Sequence, residues 1–101
     1  MPVYALHYAY TEDTAARDTH RAEHRAYLRD LADRGVVVAA GAYAPGEPHG
    51  ALIVVRAPDK DAVAELVAGD PFRREGIVAG YTVTEWTPVI GPWADAAGEV
   101  R

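Results

Sequence analysis

The chain has 101 residues, half of them hydrophobic, and a formal charge of −5. That is enough chain for one core without a covalent staple and too apolar for disorder, while the acidic balance argues against nucleic acid or an anionic membrane as a partner. No cysteine, serine, asparagine or glutamine occurs, which removes disulfides, thiolate metal sites and Ser or Cys nucleophiles.

Val3 to Tyr10 sets Tyr4, Leu6, Tyr8 and Tyr10 against smaller residues, the alternation of a strand. Thr11 to Thr14 reads as a polar connector. Arg17 to Gly35 then reads as one amphipathic helix. His20, His24, Tyr27, Leu28 and Leu31 recur at steps of three and four and share its apolar face. Arg21, Arg25 and Arg29 repeat every four residues beside acids, a stripe expected to face water. Asp13 or Thr14 suits the N-cap, and Gly35 suits the left-handed position after the last turn.

Val36 to Ala42 is a second apolar run, and Tyr43 to Gly50 is a loop by its proline and glycine content. Ala51 to Arg56 is a third strand. Pro58 to Ala68 is a second helix, with Ala62, Val63, Leu66 and Val67 on one face. Asp70-Pro71-Phe72 begins a short turn, and Ile77 to Pro88 is a last strand. A single domain is expected over residues 1–90, and a mobile tail over 91–101 apart from Trp93. The first ten residues lack a basic start or a long apolar run, so the expected compartment is the cytoplasm.

The order βαββαβ predicts an α+β, ferredoxin-like sandwich: a four-stranded antiparallel sheet with both helices on one face. Strands two and three are apolar on both faces, so the far face needs a cover. A second copy of the sheet is the expected one, giving a homodimer.

For chemistry there remain four histidines, fifteen carboxylates, arginines and six tyrosines. The only lysine, Lys60, sits where a helix surface is expected, and no glycine-rich phosphate loop is present. His20 and His24 stand four apart, a spacing that can hold a metal. The third ligand is missing and arginines crowd the pair, so no metal and no cofactor are expected. Asp70-Pro71 reads first of all as a helix start, with aspartate as cap and proline next. Its functional reading needs His24: a carboxylate on one imidazole nitrogen fixes the tautomer and leaves the other free to take a proton.

The string Arg21 to Leu28 (RAEHRAYL), Gly35 and the valines after it, Ala40-Gly41, Gly50 before a strand, and Asp70-Pro71-Phe72 together resemble the YciI-like (YCII-related) family, from about Tyr4 to Trp86. The resemblance implies a ferredoxin-like dimeric α+β barrel and an active site pairing His24 with Asp70. One member of that family is a dehydrochlorinase of a chlorinated hydroxyhydroquinone. Gly41-Ala42 stands where Gly-Pro is frequent, and His49 stands where an acid is common. Around the pair, the candidate substrate-binding residues are Tyr27 beside His24, Tyr43 and His49 on the loop, and Phe72 and Arg73 after Asp70. Tyr27 could donate to an oxyanion or simply fill the core, and Arg73 could attract an anion or sit in water. The expected function is acid–base chemistry without a cofactor, elimination or isomerisation, on a small aromatic or carbonyl-bearing molecule. The alternative is a non-catalytic dimeric module binding a small ligand or a partner protein.

Overall fold

Strand β1 (Val3–Tyr10) runs through the middle of the sheet, antiparallel to β3 (Gly50–Arg56) on one side and to β4 (Val78–Trp86) on the other. Strand β2 (Val37–Ala42) adds to the outer edge of β3, so the order is β2-β3-β1-β4 with every pair antiparallel. Helix α1 (Thr14–Asp33) connects β1 to β2, and α2 (Lys60–Gly69) with a single turn, α3 (Pro71–Arg74), connects β3 to β4. This is the ferredoxin-like α+β arrangement. It comes from a computed structural model, which describes residues 1–94; the tail expected to be mobile lies outside the described residues from 95 on.

The pleat sorts the side chains. Tyr4, Leu6 and Tyr8 of β1 stand opposite Val55, Ile53 and Ala51 of β3, and all six are buried in one core with Leu31, Val63, Val67 and Phe72 from the helical layer and Ile77 from just before β4. The intervening residues face the other way. There Val3 and Val54 form a small second cluster with Val38. Trp93 meets the Trp86 ring edge-on and lines a shallow depression with Leu52 and Val54.

Caps account for most boundary differences. Helix α1 starts at Thr14 rather than Arg17, because the Asp13 carboxylate accepts from Ala16 N at 3.0 Å and carries the first turn back over the expected connector. Asp59 does the same for α2 through Ala62 N at 2.8 Å, so Pro58 lies ahead of the helix. Just past the end of α1 stands Gly35, whose φ of 77° suits a residue without a Cβ. Gly35 N donates to Ala32 O and Val36 N to Leu31 O, the double bond of a Schellman end. Val36 is therefore fastened to the helix and β2 begins one residue later. Gly50 answers a closer constraint: a Cβ there would stand 2.1 Å from the Tyr8 carbonyl oxygen.

Candidate active site

Asp70 closes α2 and caps α3. Its Oδ1 accepts from Phe72 N at 3.0 Å, and Pro71 occupies the first position of the turn, where its missing N–H costs nothing. The same carboxylate is 0% exposed. Burial on that scale requires a full set of donors. Two come from distant elements: Tyr8 of β1 donates its hydroxyl to Oδ2 at 2.8 Å, and His24 Nδ1 of α1 lies 2.8 Å from Oδ1 and 3.0 Å from Oδ2. One carboxylate therefore both caps the short turn and meets the His24 ring.

A carboxylate accepts, so the proton of a neutral His24 ring sits on Nδ1 and Nε2 carries the free lone pair. His24 is 7% exposed and lines a cleft of about 600 Å³ between α1, β2 and the loop before β3. That volume suits a small organic molecule. Phe72 lies flat against the imidazole, and the Phe72 and Tyr10 rings meet at right angles with centroids 5.5 Å apart. The floor of the cleft is therefore aromatic.

Burial, with the Asp70 charge second, raises the phenol of Tyr8 well above its ordinary value, so it remains a donor. Tyr10 is pushed up to about 12, again by burial first and Asp70 second, with Arg17 and Arg21 acting in the opposite direction.

Of the residues singled out in the sequence, His24, Tyr43, His49 and Phe72 line the cleft. Tyr43 offers its ring, since its hydroxyl is 2.7 Å from His7 Nδ1. His49 Nε2 stands 3.7 Å from a Glu12 oxygen at the mouth. Tyr27 and Arg73 lie elsewhere. Tyr27 donates to Leu66 O at 2.7 Å, tying α1 to α2. Arg73 donates to Val78 O at 2.8 Å and rests over the Tyr81 ring. His20 does not act with His24; its nitrogens stand 3.9 Å from Glu23 and Glu75. Among the described residues no three His, Asp or Glu side chains gather as metal ligands would.

Sequence reasoning passed over Tyr8, Tyr10 and the arginines. Tyr8 was reachable, because a tyrosine on the buried face of a central strand needs a partner for its hydroxyl. The stripe of Arg21, Arg25 and Arg29, expected in water, is exposed at Arg25 and Arg29 and also borders the cleft, where the buried Arg17 joins it. A four-residue step gives a shared face without saying what stands opposite that face.

Residues 1–87 match the YCII-related domain, and the chain belongs to that family. No curated protein matches the sequence. Among solved structures the fold is similar to 5-chloro-2-hydroxyhydroquinone dehydrochlorinase (TftG) from Burkholderia phenoliruptrix AC1100 in complex with 2,5-dihydroxybenzoquinone. The TM-score is 0.71 at 22% identity, over 83% of this chain and 92% of that one. An antibiotic biosynthesis monooxygenase is similar at a TM-score of 0.54 and 18% identity, over 89% of this chain and all of the other. At these identities the likeness is one of fold.

Proposed function

We propose that this YCII-related protein is a small acid–base enzyme in which Nε2 of His24 moves the proton and Asp70 holds the ring. The observation that carries this reading is the division of the imidazole: Nδ1 is held by a fully buried carboxylate, while Nε2 has no partner among the described residues and its ring lines the cleft. A proton taken from a hydroxyl or an acidic C–H of the bound molecule goes to Nε2. The electron pair left behind forms a π bond. In an elimination a leaving group departs from the neighbouring carbon with its bonding pair; in an isomerisation the imidazolium returns the proton to a different carbon. Asp70 stabilises the imidazolium in either case, and Tyr8 keeps the second carboxylate oxygen in place. The substrate class is a small aromatic or carbonyl-bearing molecule, in keeping with the aromatic floor and with the dehydrochlorinase that shares the fold.

A second reading has an observation of its own. Asp70 caps α3 and receives Tyr8, so the pair with His24 also serves the fold. Under this reading the protein is a non-catalytic dimeric module that binds a small ligand or a partner protein. In both readings a second copy packs on the far face of the sheet, where Leu52 is exposed beside Ala39 and Gly41.

Anaerobic incubation with 5-chloro-2-hydroxyhydroquinone, followed by chloride release, separates the two. Release by the wild-type protein, reduced about 10²–10⁴-fold in His24→Ala, supports the enzyme. Equal release by both proteins overturns the role of His24. Binding of 2,5-dihydroxybenzoquinone without any turnover favours the module.

A further inference from the structure

The polar wall of the cleft opposes the charge of the whole chain. The net charge is −5, yet four arginines of α1 line the cleft with Glu47 as its acid. Their circumstances differ. Arg21 is paired with Asp18 at 2.7 Å, and Arg25 and Arg29 are exposed. Arg17 is 8% exposed, and no carboxylate, carbonyl or hydroxyl of the described residues accepts from its guanidinium. Its guanidinium stands over the face of Tyr10, 5.6 Å from the ring centroid.

A ring quadrupole offsets only part of the cost of burying a full positive charge. With its phenol pushed up to about 12, Tyr10 is neutral at ordinary pH and supplies no counter-charge. The guanidinium is always protonated. A largely buried cation of this kind, whose nitrogens keep some contact with the solvent of the cleft, set in the wall of a cavity large enough for a small molecule, is matched by an anion that arrives from solvent.

We infer that Arg17 is the anion anchor of the cleft: the molecule held against His24 carries a negatively charged oxygen, of a carboxylate or an acidic enol, that accepts from this guanidinium. The inference rests on the reading of the cleft as a substrate site and narrows the substrate to organic acids in their anionic form. Position along the helix supports it. Arg17 and His24 are seven residues apart, two turns on one face, about 10 Å along the axis. The Tyr10 and Phe72 rings join the two without a break. A six-membered ring on that aromatic floor can place an anionic oxygen toward Arg17 while a ring substituent lies at Nε2. Planar guanidinium suits a carboxylate or a vinylogous acid through paired N–H donors.

Calorimetric titration with two probes tests this. One is 2,5-dihydroxybenzoquinone, whose enolic hydroxyls are ionised at neutral pH. The other is 2,5-dimethoxybenzoquinone, of similar shape and no charge. The wild-type protein is expected to bind the charged probe at least 10-fold more tightly, with the preference shrinking as salt rises. Arg17→Met should weaken the charged probe about 10–100-fold, the scale of a charge-assisted hydrogen bond, and leave the neutral one unchanged. Arg17→Lys should recover part of the loss. Equal binding of the probes by the wild type, absence of binding of the charged probe, or an undiminished affinity in Arg17→Met each overturn the inference. If Arg17→Met fails to fold, the Arg17→Lys affinity and the salt dependence of the wild-type preference decide it. Arg17-dependent binding together with chloride release unaffected by His24→Ala would remove the acid–base reading and leave the anchor.

Discussion

The imidazole of His24 and the phenyl ring of Phe72 are stacked face to face, with centroids 3.9 Å apart and planes 2° from parallel. Both residues answer to Asp70, which accepts a hydrogen bond from Nδ1–H of His24 and from the backbone N–H of Phe72. One Asp-Pro-Phe turn thus supplies the acceptor that sets the tautomer and the plate that sets the ring plane. Substitution of Phe72 by Leu keeps apolar volume and loses the plate. The expected loss of stability is modest, under about 1.5 kcal/mol, with a larger proportional loss of turnover or ligand affinity. Urea unfolding measured beside activity checks this; a stability loss that accounts for the whole activity loss would refute it.

Asp70 should divide its two roles between two variants. Asp70→Asn retains an oxygen for Phe72 N and keeps the fold, while it removes the charge that stabilises a His24 imidazolium, so turnover should fall with the chain still folded. Asp70→Ala leaves the Tyr8 hydroxyl and His24 Nδ1 buried without an acceptor and should cost about 3–5 kcal/mol. Circular dichroism and denaturant midpoints distinguish them. An Asp70→Ala protein as stable as the wild type would contradict the hydrogen-bond account.

The tyrosines predict an alkaline limit. Tyr8 and Tyr10 have phenols raised by burial in the folded state, Tyr10 to about 12. The unfolded chain loses these protons near pH ~10, so their contribution to stability is full below that value. It is lost as pH climbs from ~10 through the folded values. Absorbance at 295 nm should show these two phenols ionising late or only on unfolding, and Tyr10→Phe should remove part of the late step. Six phenols titrating together near pH 10 with the fold intact would exclude this.

The far face of the sheet predicts assembly. Leu52 is exposed there, and Val54, Ala39 and Gly41 extend the apolar surface around it. A homodimer through this face is expected to bury on the order of 800 Å² per subunit, and Leu52→Glu should dissociate it. Sedimentation at micromolar concentration is the measurement, and a wild-type monomer would end the idea.

Much of the fold was legible in the sequence because periodicity and capping are local. Tyr4, Leu6 and Tyr8 mark a strand by alternation, though not which of its two largely apolar faces is buried, Leu28 and Leu31 mark the inner line of a helix, and Gly35 marks its end. By the same spacing His24 lies on the inner line. The family resemblance added the pairing with Asp70, which no pattern of spacing contains.

Tertiary structure alone decided what faces what. His24 and Asp70 are 46 residues apart, and their 2.8 Å contact depends on α1 and the α2–α3 turn packing on the same face of the sheet. Tyr27, one turn from His24, rotates to the Leu66 carbonyl because a half-buried hydroxyl takes the nearest acceptor. Arg21, Arg25 and Arg29 repeat as a solvated stripe would, and Arg25 and Arg29 do meet water, yet the loop from Tyr43 to Gly50 supplies the opposite wall and makes that stripe, together with Arg17, the side of a cleft. A sequence period specifies the face on which a side chain lies. Whether water, a ring or a carboxylate stands across from it is settled only when distant elements close around the same core.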